Sequence, residues 1–217
     1  MKDDVRKLVK WGGWMAMGLI GLAALRLMPV ARAAPPSATV KAVTAGDFEG
    51  QSKSNKQYGT LVLSRGKTLG WGWAKTDDQR MGGRSTASIQ LVHPGADGSH
   101  GALRASGELK PGFISPWAGA IWFPGSQPMQ SADLSGYTTL TFMARGKPGS
   151  YSVMMMAGAA QSIPRYASID LTAHWKRYSL PLATSFFDAD LKHVYFVAFS
   201  AGAFGKFHFE LDNVQLR

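Results

Sequence analysis

From Asp47 to the end of this 217-residue chain, apolar residues either alternate with polar ones or gather in short runs. No long window repeats them at i, i+3, i+4 and i+7. A period of two cannot lay an apolar stripe along a helix, so the segments must bury their apolar side chains by pairing as strands. Candidate strands cover residues 59–64, 71–75, 85–93, 102–109, 117–123, 138–145, 151–157, 166–171, 176–181, 193–201 and 206–216. Breakers separate them: Pro94-Gly95 with Asp97-Gly98, Lys110-Pro111-Gly112, Pro124-Gly125, Gly146 with Pro148-Gly149, and Gly202. Ten or eleven short strands with regular turns, in one region of about 170 residues, predict an all-β fold: a two-sheet jelly-roll β-sandwich. A lipocalin-like barrel is the alternative. In the strand 139–145, Leu140, Phe142 and Ala144 share one face and are expected in the core. Thr139, Thr141, Met143 and Arg145 share the other.

The first 33 residues read as an address. Lys2, Arg6, Lys7 and Lys10 precede an uncharged apolar stretch, 11–25, and Ala31-Arg32-Ala33 supplies the small-x-small pattern of a signal-peptidase site. The stretch is shorter than the roughly 20 apolar residues of a spanning helix. We therefore expect a signal peptide over 1–33, a linker over 34–45 and the sandwich over 46–217, in a periplasmic or secreted protein with no stable membrane anchor after cleavage. Of the formal net charge of +10, residues 1–33 supply +4; the rest is scattered singly, which is no nucleic-acid footprint. With no cysteine, disulfides, thiol catalysis and Cys-ligated zinc are excluded.

No complete set of nucleophile, base and oxyanion donor is visible, and we expect no enzyme. His93, His100, His174, His193 and His208 lack zinc-motif spacing. The pairs Asp77/Asp78 and Asp188/Asp190 read as turn residues. Gly82-Gly83 reads as a turn or bulge with φ > 0, or as a close backbone approach to a ligand beside Asp78 and Arg84. Five tryptophans lie beyond the signal segment. Trp71 and Trp73, two apart, share a face in an unbroken strand and form a candidate sugar-stacking pair; the competing reading buries both. Trp117 and Trp122, five apart, fall on opposite faces, so one is core and the other is free for ligand. Arg84 and Arg145 are candidate forked donors to hydroxyls or carboxylates. In a jelly roll the first and last strands commonly lie side by side, which would bring Asp47 and Glu49 near Asp212 as oxygen ligands for a structural Ca2+.

Several segments together resemble the complex I intermediate-associated protein family. They begin with Trp71-x-Trp73 and Asp78-Gln79-Arg80-Met81-Gly82-Gly83-Arg84-Ser85. Asp133-Leu134-Ser135-Gly136-Tyr137 and Trp175-Lys176-Arg177-Tyr178 follow, and the series ends in Leu211-Asp212-Asn213-Val214. The resemblance spans about residues 46–217. It implies a galactose-binding-like jelly roll, similar to carbohydrate-binding modules, and a role in protein assembly. Arg80 departs from the pattern, standing where the family usually has an apolar residue. The signal segment departs too, because an exported protein does not meet complex I intermediates. The expected partner is thus a glycan or an envelope protein.

Overall fold

The computed structural model describes residues 42–57, 59–62, 68–158 and 163–217. The expected signal peptide, 1–33, and most of the expected linker, 34–45, lie outside the described residues. Among the described residues thirteen strands run in the order β1 (Val43–Gly46), β2 (Ser52–Asn55), β3 (Gly59–Val62), β4 (Gly72–Asp77), β5 (Thr86–Val92), β6 (Ala102–Leu109), β7 (Ala118–Phe123), β8 (Thr139–Gly146), β9 (Gly149–Ala157), β10 (Arg165–Leu171), β11 (Lys176–Pro181), β12 (Val194–Ala201) and β13 (Gly205–Leu216). A 3-10 turn at Asp78–Met81 and a one-turn helix, α1 (Leu182–Ser185), are the only helical elements among the described residues.

The strands form two fully antiparallel sheets, so the chain is a sandwich and not a closed barrel. Sheet A has the order β11-β8-β13-β6-β5, with β1 added alongside β13; sheet B has the order β10-β9-β12-β7-β4-β3-β2. The core between them takes Leu140, Phe142 and Ala144 from β8, Phe207, Phe209 and Leu211 from β13, Ala120 and Trp122 from β7, and Val197 and Phe199 from β12. The alternation read in 139–145 thus holds. Its second face is not simply solvent-exposed, however, since Met143 is also buried. Among the three consecutive methionines, Met155 enters the core while Met154 lies in a separate apolar cluster on the far side of sheet B.

Two strands escape the sequence pattern. β1 lies at the boundary between linker and sandwich, and β2, Ser-Lys-Ser-Asn, has no apolar residue to alternate. β1 is held by register instead, with Val43 opposite Leu216 and Thr44 opposite Gln215. First and last strands therefore do lie side by side.

Candidate functional site

Sheet B has an outer face as well as a core face, and its registers place one row of residues across all seven strands. Tyr166 pairs with Met154, Met154 with Ala198, Ala198 with Ile121, Ile121 with Ala74, Ala74 with Leu61, and Leu61 with Lys53. Ala74, Ile121, Phe123, Met154 and Ala198 form an apolar cluster there, with Trp71, Trp117 and Phe196 packed against it and only partly buried. Ala74 and Ala198, on either side of Ile121 in the row, are both fully buried. The strand β7 is buried along its whole length, so both of its faces are covered.

The two partly buried indoles stand at opposite ends of β4. Trp71 meets the Phe123 ring edge-on at 5.8 Å, beside Gly72, which pairs with Phe123. The Trp117 indole N–H donates to Thr76 Oγ1 at 3.0 Å, and Trp117 is itself packed edge-on by Phe113 at 5.7 Å. Gly72 and Thr76 are four residues apart, about 13 Å along an extended strand. Over the same strands opens a cleft of about 100 Å³ lined by Gln57, Lys75, Thr76, Asp77, Arg80, Ile121 and Phe123. Its charged wall is ordered: Lys75 Nζ donates to Asp77 Oδ2 at 2.7 Å, and the Arg80 guanidinium donates to the Gln57 carbonyl.

The structure divides the expected ligand residues. Trp73 is not a platform residue. It is 1% exposed, donates its indole N–H to the Ala45 carbonyl at 2.8 Å, and sits among Phe48, Trp122 and Phe199. Trp122 is fully buried and bonded to the Leu69 carbonyl at 3.1 Å. Trp117 and Trp122 do lie on opposite faces, with Trp117 outside. Trp71 and Trp73 do not share a face, because Trp71 precedes the strand and lies between Gly70 and Gly72, with φ of 93° and 132°. Those left-handed glycines break the two-residue alternation on which the pairing rested. The sheet-face parity that misled at Trp71 would have found Ala74, Thr76 and Ile121. Arg80, Lys75 and Gln57 reach the cleft by the fold of the turn and hairpin, which no local pattern announces.

Asp78 is also structural. Fully buried, it accepts from the Ser85 backbone N–H and hydroxyl, both at 2.8 Å. Gly82 ends the 3-10 turn with φ of 90°, and a Cβ on Gly83 would run into the Asp78 carboxylate. The two glycines thus answer to the turn. Arg84 is exposed at this end of the sandwich and donates to the Pro111 carbonyl at 3.1 Å.

Arg145 belongs to the other sheet. Its Nε donates to Glu210 Oε2 at 2.6 Å, Arg104 Nε donates to Oε1 of the same carboxylate at 2.9 Å, and Trp175 lies 4.6 Å from the Arg145 guanidinium. Register produces this arrangement, since Glu210 stands opposite Arg104 on β6 and Arg145 on β8. It locks three strands of sheet A and does not join the cleft of sheet B.

The carboxylates named for a structural Ca2+ are engaged in hydrogen bonds. Asp212 Oδ2 accepts from the Ala96 N–H at 2.7 Å and from the Ser99 hydroxyl, and Oδ1 accepts from the Asn213 N–H at 2.7 Å. Glu49 Oε1 accepts from the N–H groups of His100 and Gly101, and Asp47 Oδ1 from the Glu49 N–H. Among the described residues no three His, Cys, Asp or Glu side chains are disposed to hold a metal. These carboxylates pin the loop 93–101 instead. Desolvation pushes the Asp212 carboxyl above its usual range, with the Glu49 charge adding to it and the three hydrogen bonds opposing.

Other titratable groups do not build a second centre. His193 bonds Asp190 at 2.7 Å on the surface, and that bond, with the Lys192 N–H, holds the Asp190 carboxyl below its usual range. His93 and His100 stack with centroids 4.2 Å apart on the loop 93–101.

A family model for complex I intermediate-associated protein 30 matches residues 64–202. A comparison with curated protein sequences finds no significant match. Among solved structures, the sandwich is similar to the family 11 carbohydrate-binding module of the cellulosomal cellulase Lic26A-Cel5E of Clostridium thermocellum. That likeness has a TM-score of 0.59 and 17% identity, covering 82% of this chain and 95% of that one. The Clostridium thermocellum family 11 module in complex with a β-1,3-1,4-mixed-linked tetrasaccharide matches at 0.57 and 16%, covering 81% and 94%. A family 30 carbohydrate-binding module matches at 0.55 and 14%, covering 82% and 88%. At these identities the likeness is one of fold, and the fold is that of the galactose-binding-like jelly rolls.

Proposed function

Because the chain belongs to the complex I intermediate-associated protein 30 family and is built as a carbohydrate-binding module is built, we propose that it is a non-catalytic binding protein whose outer sheet B face takes a glycan. The observation that carries this reading is the pair of half-buried indoles, Trp71 and Trp117, packed against one apolar cluster on the sheet face over which a polar-walled cleft opens. Sugar rings present apolar C–H faces to such side chains and hydroxyls to groups such as Gln57, Thr76 and Lys75. The reading includes export, with the segment 1–33 removed, so that the domain meets polysaccharide outside the cytoplasm.

A glycan array probed with the purified protein tests it. Trp117→Ala and Trp71→Ala are each expected to weaken binding about tenfold, the loss of one stacking contact. Arrays on which no glycan binds, or variants that bind as well as wild type, overturn it. Intact mass of the exported form is expected to show a start near Ala34. A second reading, a protein-assembly factor, is supported by the family's description and by Met81 and Ile114, both strongly exposed near the Trp117 end of the face. Co-purification of one defined envelope partner, lost in Ile114→Asp, would favour that reading.

A further inference from the structure

Five connections pass from one sheet to the other at the same end of the sandwich. They are residues 78–85 between β4 and β5, 110–117 between β6 and β7, 147–148 between β8 and β9, 172–175 between β10 and β11, and 202–204 between β12 and β13. Besides Arg80, which lines the cleft, they carry Arg84, Lys110 and Lys147. Their one carboxylate, Asp78, is buried against Ser85. Arg84 and Lys147, both exposed, find backbone oxygens and not carboxylates: Arg84 donates to the Pro111 carbonyl, and Lys147 Nζ donates to the Lys206 carbonyl at 3.0 Å. Lys206 is exposed beside it and stands opposite Glu108, whose carboxylate meets Lys110 at 3.2 Å. Asp77 is held by Lys75, which leaves Asp170, exposed on the edge strand β10. The loops 93–101, 124–138 and 182–193, at the opposite end, reverse the balance. They hold Asp97, Asp133, Asp188 and Asp190 against Lys192.

Apolar groups project from the same basic loops. Phe204, at the tip of the 202–204 hairpin, is 62% exposed, and Ile114 and Met81 are exposed on two of the others. Phe204 stands with Lys147 and Lys206 around a hollow of about 50 Å³. That is under two waters of liquid, too little to receive a large side chain from a partner. The tips therefore project and do not enclose. A projecting phenyl flanked by ammonium groups suits a surface that yields to it and is anionic. A bilayer supplies both, with phosphates outside and acyl chains beneath.

We propose that this end of the sandwich docks reversibly on an anionic lipid surface, with Phe204 and Ile114 entering the headgroup boundary and Arg84, Lys147 and Lys206 meeting the phosphates. Docked so, the strands run away from the bilayer and the outer face of sheet B stays open. Docking is independent of whether that face takes a glycan.

Because the chain has no cysteine, one introduced thiol can carry an environment-sensitive nitrobenzoxadiazole label. Ala203→Cys places it beside Phe204, and Ala183→Cys places it on α1 at the opposite end; both positions are exposed. The full chain is mixed with vesicles of phosphatidylcholine, alone or with about a third phosphatidylglycerol. At about 50 mM salt the label at 203 is expected to brighten and shift to the blue with the anionic vesicles only, and the response to shrink at about 0.5 M salt. The label at 183 should stay in water. Both labelled chains carry the same residues 1–33, so that segment cannot produce the difference. On the chain labelled at 203, Lys147→Gln with Lys206→Gln should weaken vesicle partition about twenty-five-fold, about fivefold for each ammonium. Lys147→Arg with Lys206→Arg should preserve it, and Phe204→Ser should weaken it without changing its salt dependence. A label at 203 that stays in water with anionic vesicles, that responds equally to neutral ones, or that responds no more than the label at 183 overturns the docking. So does an equal response to soluble heparin, which would make this end a polyanion site with no use for its apolar tips.

Discussion

Replacing Trp73 by alanine removes one of the two indoles that lie between the sheets. The indole is 1% exposed and touches the rings of Phe48, Trp122 and Phe199, with centroids 5.4, 6.5 and 5.8 Å away. A buried tryptophan hides about 150–250 Å², and at about 25 cal/mol per Å² this is roughly 4–6 kcal/mol, an upper bound. Measured truncations of buried aromatics cluster at about 3–5 kcal/mol. The lost N–H also leaves the Ala45 carbonyl without that donor, at about 1 kcal/mol. A loss near 4 kcal/mol is expected. In a domain of this size each kcal/mol lowers the melting temperature by about 2–4 °C, so Trp73→Ala should melt about 8–16 °C below wild type. Differential scanning calorimetry measures this directly. A drop under about 3 °C would refute the packing argument and return Trp73 to the candidate ligand residues.

Glu210→Gln takes the shared carboxylate from between Arg104 and Arg145. Both arginine side chains are about a third or more exposed and can rehydrate, so chemical denaturation should show a loss of only about 1–2 kcal/mol rather than that of a fully buried pair. Asp212 carries a pH signature. Its carboxyl titrates higher in the folded state than in the unfolded chain, chiefly through desolvation. The stability it contributes is therefore full below the ordinary carboxylate range and is lost as pH rises through its folded value. Urea unfolding across the acid range should show this downward slope in wild type relative to Asp212→Asn; a difference independent of pH contradicts it.

The strands were legible wherever both partners of the alternation were present. β6 and β11 have the boundaries the pattern predicts, 102–109 and 176–181, because Gly and Pro mark their ends and apolar residues fix their faces. β2 was illegible because it has no apolar residue, and its place at the edge of sheet B comes from its hairpin with β3. At the site, parity correctly separated Trp117 from Trp122 but failed at Trp71, where Gly70 and Gly72 take φ values closed to other residues. Arg80 and Lys75 were not recognised as cleft residues because their neighbours there, Gln57 and Phe123, are distant in sequence. The hydrogen bonding of the acidic corner was not legible, for a related reason. Its proximity followed from topology, but the N–H groups that satisfy Asp212 and Glu49 come from a loop whose path only the folded chain reveals.

The position of β13 bears on the order of assembly. It is the last strand in sequence, yet it is central in sheet A, bonding β8 on one side and β6, then β1, on the other. Until it arrives, β5 and β6 form one ribbon, β8 and β11 form a second, and β1 has no strand to join. During synthesis the sheet would remain in pieces with open edges until β13 emerged. Folding of this sheet is therefore gated by the arrival of β13, and the interval before it is when the exposed edges are open to chaperones and to aggregation.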